Sequence, residues 1–148
     1  MLPTDLEVLN DSLFVISRMK VFKLSLAEES FGKFMSIVHG GQGMQGVQRY
    51  LAHAITVHDE RLYVASWRYI LVYSPDDVLW QTVELPDGHL LDAFQARNDE
   101  GSLFQVPYWS PKSICVNDKH VYVQDHQRMY ILTLNVVQPS SAAGSSSS

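Results

Sequence analysis

The sequence predicts a mostly β protein built from antiparallel, four-stranded meander repeats. Residues 54–85 carry the pattern most clearly, because short apolar runs alternate there with polar segments that suit chain reversals. The runs span residues 55–57, 62–65, 70–73 and 79–85, and they are rich in the β-branched and aromatic residues that sheets favour. Each gap is too short for a crossover connection, so neighbouring strands must be antiparallel.

Three segments of the chain repeat one pattern: apolar–x–Val, a turn with Asn or Asp, and apolar–aromatic–Val. Residues 6–15, 55–64 and 114–123 align on it without a gap, and a second hairpin follows each segment. A period of about 50 residues is typical of repeat architectures such as propellers. We therefore expect a single repeat domain over 1–138, with repeats at about 5–45, 53–100 and 105–136. The Ser/Ala/Gly-rich segment 139–148 is expected to be a flexible tail.

The spacers between the repeats differ. In the first spacer, Ser25 and Glu28 have the spacing of a helix capping box, and apolar residues follow at helical spacing. Phe31 and Phe34 also align with Trp80 and Val83 in the fourth apolar run of the second repeat, so residues 25–38 fit either a helix or a strand. Residues in the second spacer have the spacing of one or two helical turns: Leu90, Leu91, Phe94 and Arg97. The third repeat lacks a fourth strand of its own.

Residues 55–65 and 70–76 carry the pattern I-x-V, L-Y-V-A, I-x-V-Y-x-P-D. This pattern resembles β-propeller blades, most closely those of the NHL or six-bladed lactonase type. The resemblance implies a partial β-propeller of about three blades. Known propellers have about four to eight blades, so the partial ring must be completed by association with a second copy or a different subunit. A self-closed, β-trefoil-like fold is the alternative.

The composition excludes several classes of protein. A net charge of −5 and the absence of any Lys/Arg run argue against nucleic acid as a partner. No apolar run is long enough to span a membrane, and the first residues lack a signal-peptide pattern. We therefore predict a soluble, intracellular protein with a cytoplasmic location. The single cysteine, Cys115, excludes an intrachain disulfide, and its apolar run predicts a buried, inert thiol.

Gly41, Gly43 and Gly46 match the G-x-G-x-x-G pattern of dinucleotide-binding turns. Too few residues separate Gly46 from Asp59 for a helix to cross back over a sheet. The strand that would carry the acidic residue is already a repeat strand. A glycine-rich link between repeats is the better interpretation.

No histidine pair has the spacing of a metal motif, and no nucleophile-elbow motif is present. We therefore assign no catalytic residue, metal ligand or cofactor. The lactonase resemblance implies a divalent ion in the central channel, for which Thr56, His58 and Asn117 offer only part of a ligand set. His58 ends an innermost strand and is the histidine most suited to line that channel.

The tips of the second hairpins are candidate partner-binding sites, because exposed loop tips often bind and Trp and Arg are favoured at interface hot spots. Trp67 has an alternative role, packing on the next blade, and the proline-flanked Trp109 has the same ambiguity. The candidate residues are Trp67, Arg68, Tyr69, His126, Arg128, Trp109 and His58.

These observations favour a non-enzymatic protein-interaction or scaffold module that acts in a homo-oligomer or a larger complex. The expected partner is protein, bound through blade edges. One alternative is a propeller enzyme of the divalent-metal lactonase or hydrolase type. The other is a glycan-binding protein that uses Trp67 or Trp109 for stacking.

Overall fold

The computed structural model describes residues 3–41, 43–66, 69–84, 95–97, 103–105, 111–124 and 129–133. Its three main sheets are antiparallel and contain four, four and three strands. Within each sheet every strand pairs with its neighbour in the sequence, which is the predicted meander order. The mostly β fold class is therefore confirmed. The predicted tail at 139–148 lies outside the described residues.

Sheet 1 and sheet 2 each contain four strands. Sheet 1 consists of β1 (Pro3–Leu9), β2 (Ser12–Ser17), β3 (Lys20–Ser25) and β4 (Phe34–His39). Sheet 2 consists of β5 (Ala52–His58), β6 (Arg61–Ser66), β7 (Tyr69–Tyr73) and β8 (Leu79–Glu84). Asp59 and Glu60, which join β5 to β6, both have positive φ angles. Two-residue hairpin turns of this kind match the right-handed twist of the strands.

A short hairpin and a third sheet follow. The hairpin pairs β9 (Gln95–Arg97) with β10 (Leu103–Gln105), so the helical turn predicted around Arg97 is wrong. The other residues of that predicted helix, 90, 91 and 94, lie outside the described residues. Sheet 3 consists of β11 (Ser113–Val116), β12 (His120–Gln124) and β13 (Met129–Thr133). Within the described part of the chain, β13 has no fourth strand beside it.

The structure decides the open question over residues 25–38 in favour of a strand. β4 pairs with β3 and so satisfies backbone groups that a helix would leave without partners. A 3₁₀ helix, Glu28–Ser30, lengthens the connection before it. Leu24 therefore pairs with Phe34, whereas the equivalent Tyr73 pairs with Leu79. The gap-free alignment of Phe31 with Trp80 is thus shifted from the structural register.

The glycine-rich segment between sheets 1 and 2 is a link and not a nucleotide-binding turn. Gly43 and Gly46 have positive φ angles, and the segment leads only into a four-residue 3₁₀ helix that begins at Gly46, Gly46–Arg49. The next strand, β5, is antiparallel to β6. The parallel strand–helix–strand unit that a dinucleotide fingerprint requires is therefore not formed by this segment.

Two apolar layers hold the three sheets together. Sheet 1 packs face to face on sheet 2 through one cluster, and sheet 2 packs on sheet 3 through another. The first strands of the sheets lie against one another, with β5 in contact with both β1 and β11. Alternate residues of sheet 2 thus face the two layers, because side chains along a strand point to opposite faces. Within the described residues, no helix is long and apolar enough to cross a membrane.

Candidate functional site

The face of sheet 1 that points away from sheet 2 is mostly apolar, with the polar pair Ser17 and Lys20 at one end of the β2–β3 hairpin. Cross-strand partners point to the same side of a sheet, so the strand register defines this face. We call it the sheet 1 outer face, and it consists of Leu6, Val8, Leu13, Val15, Phe22, Leu24, Phe34 and Ile37. Leu6, Val8 and Phe34 are 51%, 57% and 59% exposed, whereas Val15 is already buried by its neighbours. An apolar patch of this extent marks an interaction surface more often than a free surface.

Sheet 3 has a corresponding face that points away from sheet 2. We call it the sheet 3 outer face, and it consists of Ser113, Cys115, His120, Tyr122, Gln124, Met129, Ile131 and Thr133. Met129 and Ile131 are both 61% exposed, and a groove of about 260 Å³ runs along the face. Cys115 is exposed, so the prediction of a buried thiol is wrong. Strand alternation turns its neighbour Ile114 inward and Cys115 outward.

Among the described residues, the two outer faces are the members of a repeated interaction on which no other main sheet packs. Sheet 2 buries Ile55, Leu62, Val64, Leu71 and Tyr73 against sheet 1. The sheet 1 outer face carries Leu6, Leu13, Val15, Phe22 and Leu24 at the equivalent repeat positions. Sheet 2 also buries Tyr63, Ala65, Ile70 and Val72 against sheet 3, and the sheet 3 outer face carries their equivalents. Each outer face therefore matches a face that the protein already buries elsewhere.

Acidic side chains on β1 accept hydrogen bonds from backbone N–H groups of β5, the edge strand of sheet 2. The Ile55 backbone N–H donates to the Asp5 carboxylate at 3.0 Å, and the Val57 backbone N–H donates to Glu7. Burial raises the pKa of Glu7, the nearby Asp5 charge adds to the rise, and the bond from Val57 opposes it. These contacts fix the approach of β1 to β5.

A buried polar chain joins sheet 1 to sheet 2 beside the apolar layer. Ser66 Oγ donates to the carbonyl oxygen of Leu51 at 2.8 Å, so it must accept a hydrogen bond from His39 Nε2, which is 2.9 Å away. His39 Nδ1 then accepts from the hydroxyl of Tyr73 at 2.9 Å, and Gln48 Nε2 donates to the same hydroxyl. Burial lowers the pKa of His39 to about 4, although a bond to the Tyr50 backbone opposes the shift. His39 is therefore a neutral, structural histidine, and its isolated position in the sequence did not reveal it.

An ion pair crosses the same layer. Lys23 Nζ lies 3.2 Å from a carboxylate oxygen of Asp77, and Ser36 also donates to this carboxylate. The Lys23 side chain is only 11% exposed, and its ammonium group lies 5.8 Å from the centre of the Phe14 ring. The pair thus neutralises a charge that would otherwise be costly at the sheet interface.

Two of the residues proposed from the sequence lie within the described residues. Tyr69 stacks on Tyr50 with a ring separation of 5.9 Å and packs against the layer between sheets 1 and 2. His58 ends β5 and lies 2.9 Å from Asp118 of sheet 3, at the edge of a polar pocket. The structure does not bring these two residues together, since they lie at opposite ends of sheet 2. The remaining candidates lie outside the described residues: Trp67, Arg68, Trp109, His126 and Arg128.

Comparisons with known proteins do not assign a family. No family model matches the sequence, and no curated protein matches it. Among solved structures, the chain is similar to a "Putative exported protein" from Bacteroides fragilis NCTC 9343, with a TM-score of 0.45 and 16% sequence identity. The similarity covers 90% of this chain and 49% of that protein, so the chain spans about half of its length. The description of that protein as exported contradicts the predicted cytoplasmic location, and we withdraw the prediction.

Proposed function

We propose that this protein is a non-enzymatic interaction module that works as a homo-oligomer. In this proposal the sheet 1 outer face of one copy packs on the sheet 3 outer face of another, as propeller blades pack in a ring. Two copies would supply six main sheets, which falls within the range of about four to eight blades seen in propellers. The single observation that carries the proposal is the apolar sheet 1 outer face, with Leu6, Val8 and Phe34 each more than half exposed.

The identity of the partner follows from the repeat. Every internal interface joins the face that contains the Ile55 position to the face that contains the Tyr63 position of the preceding sheet. In the part of the chain that the structure describes, one face of each kind is left without a main sheet packed on it. A second copy therefore offers the complementary surface without any new type of contact. Because the two faces lie at opposite ends of the chain, the association is head-to-tail, and it gives a closed ring if the rotation between copies permits.

The energy of such packing is substantial. Full burial of a Leu, Val or Phe side chain contributes about 1.5–3 kcal/mol. The exposed members of the sheet 1 outer face thus supply a driving force that must offset the cost of bringing two molecules together. The polar members of the sheet 3 outer face, Ser113 and Gln124, would lie toward the rim of this surface.

Sedimentation velocity over micromolar concentrations tests the proposal. We expect a species of twice the 16.8 kDa chain mass or a larger multiple. A Phe34→Glu variant should shift the equilibrium to monomer, because association would bring the charge against the sheet 3 outer face of the other copy. The matched control is Val78→Glu, since Val78 is 49% exposed but lies in the turn before β8, away from both outer faces. A folded wild-type protein that stays monomeric throughout would contradict the proposal.

A further inference from the structure

A polar pocket opens between sheets 2 and 3, at the end where their first hairpins turn. Its volume is about 300 Å³, the lower end of the range for ligand pockets. The turns after β5 and β11 and the strand residues beside them supply its ionisable side chains, which are His58, Asp59, Arg61, Asp118, Lys119 and His120. Apart from His120, none of the residues that line the pocket belongs to either outer face.

The equivalent end of the other interface is closed by apolar side chains. Leu9 occupies the repeat position of His58 and is 5% exposed in the layer between sheets 1 and 2. Phe14 occupies the position of Tyr63 in the same way and is 1% exposed. The two interfaces share one architecture, yet polar groups replace apolar ones only at the second. Packing alone does not require this change, because Leu and Phe already close the equivalent position.

The pocket offers paired donors and acceptors. Asp118 uses one carboxylate oxygen on His58 Nε2 at 2.9 Å, and its side chain is 92% exposed. Asp59 uses one carboxylate oxygen on Arg61 Nη1 at 2.8 Å. The second oxygen of each carboxylate remains available next to a nitrogen donor. Arg61 is held in place, since its guanidinium group lies 5.5 Å from the centre of the Trp80 ring.

The charges in the pocket are balanced. Among the Asp, Arg and Lys side chains that line it, Arg61 and Lys119 offset Asp59 and Asp118. A balanced site does not favour a strongly charged ligand by long-range attraction. A ligand whose groups both donate and accept hydrogen bonds fits this arrangement better, because each hydroxyl can donate to a carboxylate and accept from a neighbouring nitrogen.

We propose that this pocket binds a small, neutral, polyhydroxylated ligand of the monosaccharide or disaccharide class. Hydroxyl groups of the sugar donate to Asp118 and Asp59 and accept from Arg61 and Lys119. The proposal goes beyond the homo-oligomer, and it does not depend on the tryptophans considered from the sequence.

The test is saturation-transfer NMR with titration calorimetry, using glucose, galactose, mannose, N-acetylglucosamine and lactose as probes, with inorganic phosphate as an anionic probe. We expect saturable binding of at least one sugar with a Kd of about 1 mM. Asp118→Asn should weaken it at least tenfold, whereas Asp76→Asn, on an exposed turn whose residues do not line the pocket, should leave it unchanged. Asp118→Asn should retain the wild-type fold, because the Asp118 side chain is almost fully exposed.

No saturable sugar binding, binding unaffected by Asp118→Asn, or binding of phosphate alone would each overturn the proposal. Sedimentation measures the homo-oligomer separately.

Discussion

The hydroxyl of Tyr73 donates to Nδ1 of His39 across 2.9 Å, and this contact links the last strand of sheet 1 to the third strand of sheet 2. Both side chains are fully buried. The bond occupies the only ring nitrogen that is free to accept a proton, because Nε2 already donates to Ser66. Protonation of His39 would therefore break a bond at the sheet interface as well as bury a charge.

The protein should lose stability in mild acid. The pKa of His39 is about 4 in the folded state and near 6.5 when unfolded, so the unfolded chain binds more protons between these values. The free energy of unfolding should fall as the pH falls from 6.5 to 4, by up to about 3 kcal/mol from this residue. Urea unfolding at several pH values, followed by circular dichroism, measures the change.

A His39→Gln variant isolates this contribution. It should show a weaker dependence of stability on pH over the same range, in addition to a lower stability at pH 7. The pKa values of two other groups are also shifted. Burial lowers the pKa of His53, which changes the free energy of unfolding with pH in the same direction as His39 does, whereas the raised pKa of Glu7 changes it in the opposite direction. Both remain in the variant, so equal slopes in the two proteins would refute the role of His39.

Tyr73→Phe should destabilise the protein at neutral pH by about 1–3 kcal/mol, because His39 loses a donor and Gln48 loses an acceptor. Burial raises the pKa of Tyr73 from 10 to about 12. The wild-type protein should therefore lose stability as the pH rises from 10 towards 12, and the variant should lack that component. Urea unfolding at pH 7 and above pH 10 checks both effects. A variant as stable as wild type at pH 7 would contradict the network.

Asp77→Asn should destabilise the protein by about 2 kcal/mol, less than for a fully buried pair because Asp77 is 28% exposed. Asparagine tolerates the positive φ of this residue, so the change removes charge without adding backbone strain. The double variant Lys23→Met with Asp77→Asn should recover much of the loss, since no buried charge then lacks a partner. Chemical unfolding of wild type, Asp77→Asn, Lys23→Met and the double variant forms the cycle. Equal losses in the single and double variants would show that charge burial is not the cause.

A Val8→Cys variant tests the geometry of association. In the sheet 1–sheet 2 interface, Glu7 reaches the backbone of Val57. Cys115 and Val8 are the repeat equivalents of Glu7 and Val57. The head-to-tail arrangement would therefore bring Cys115 of one copy beside Val8 of the other. Mild oxidation should therefore give a disulfide between position 8 and Cys115 of the other copy, detected by peptide mass spectrometry. The control is Val78→Cys, for which no such product is expected. Disulfides confined to pairs of Cys115 would contradict the head-to-tail arrangement.

Local patterns predicted the strands well because strand pairing in a meander depends on neighbouring segments. Residues 55–57, 62–65 and 70–73 all lie within the observed β5, β6 and β7. The pattern failed where tertiary contacts chose between local options. Residues 25–38 have both helical and strand spacing, and the need of β3 for a backbone partner decided the outcome. Cys115 illustrates the same limit, since an apolar run alone does not reveal which residues turn outward.

The candidate site was less predictable than the fold. His58 was found because it ends a repeat strand, but its contact with Asp118 joins residues 60 positions apart. The contacts of His39 with Tyr73 and Ser66 are likewise long-range and have no sequence motif. Such networks form only when separate sheets pack, so the positions of the partners along the chain do not report them.

The sequence by itself determined the strands, their antiparallel order and the repeat, because side-chain alternation and short turns act between neighbouring residues. Only the tertiary structure decided which apolar faces are covered, since coverage depends on how whole sheets stack. That stacking buries Tyr73 and leaves its repeat equivalent Leu24 on the sheet 1 outer face. It also places His58 beside Asp118, because two hairpin turns far apart in the chain meet where sheets 2 and 3 join.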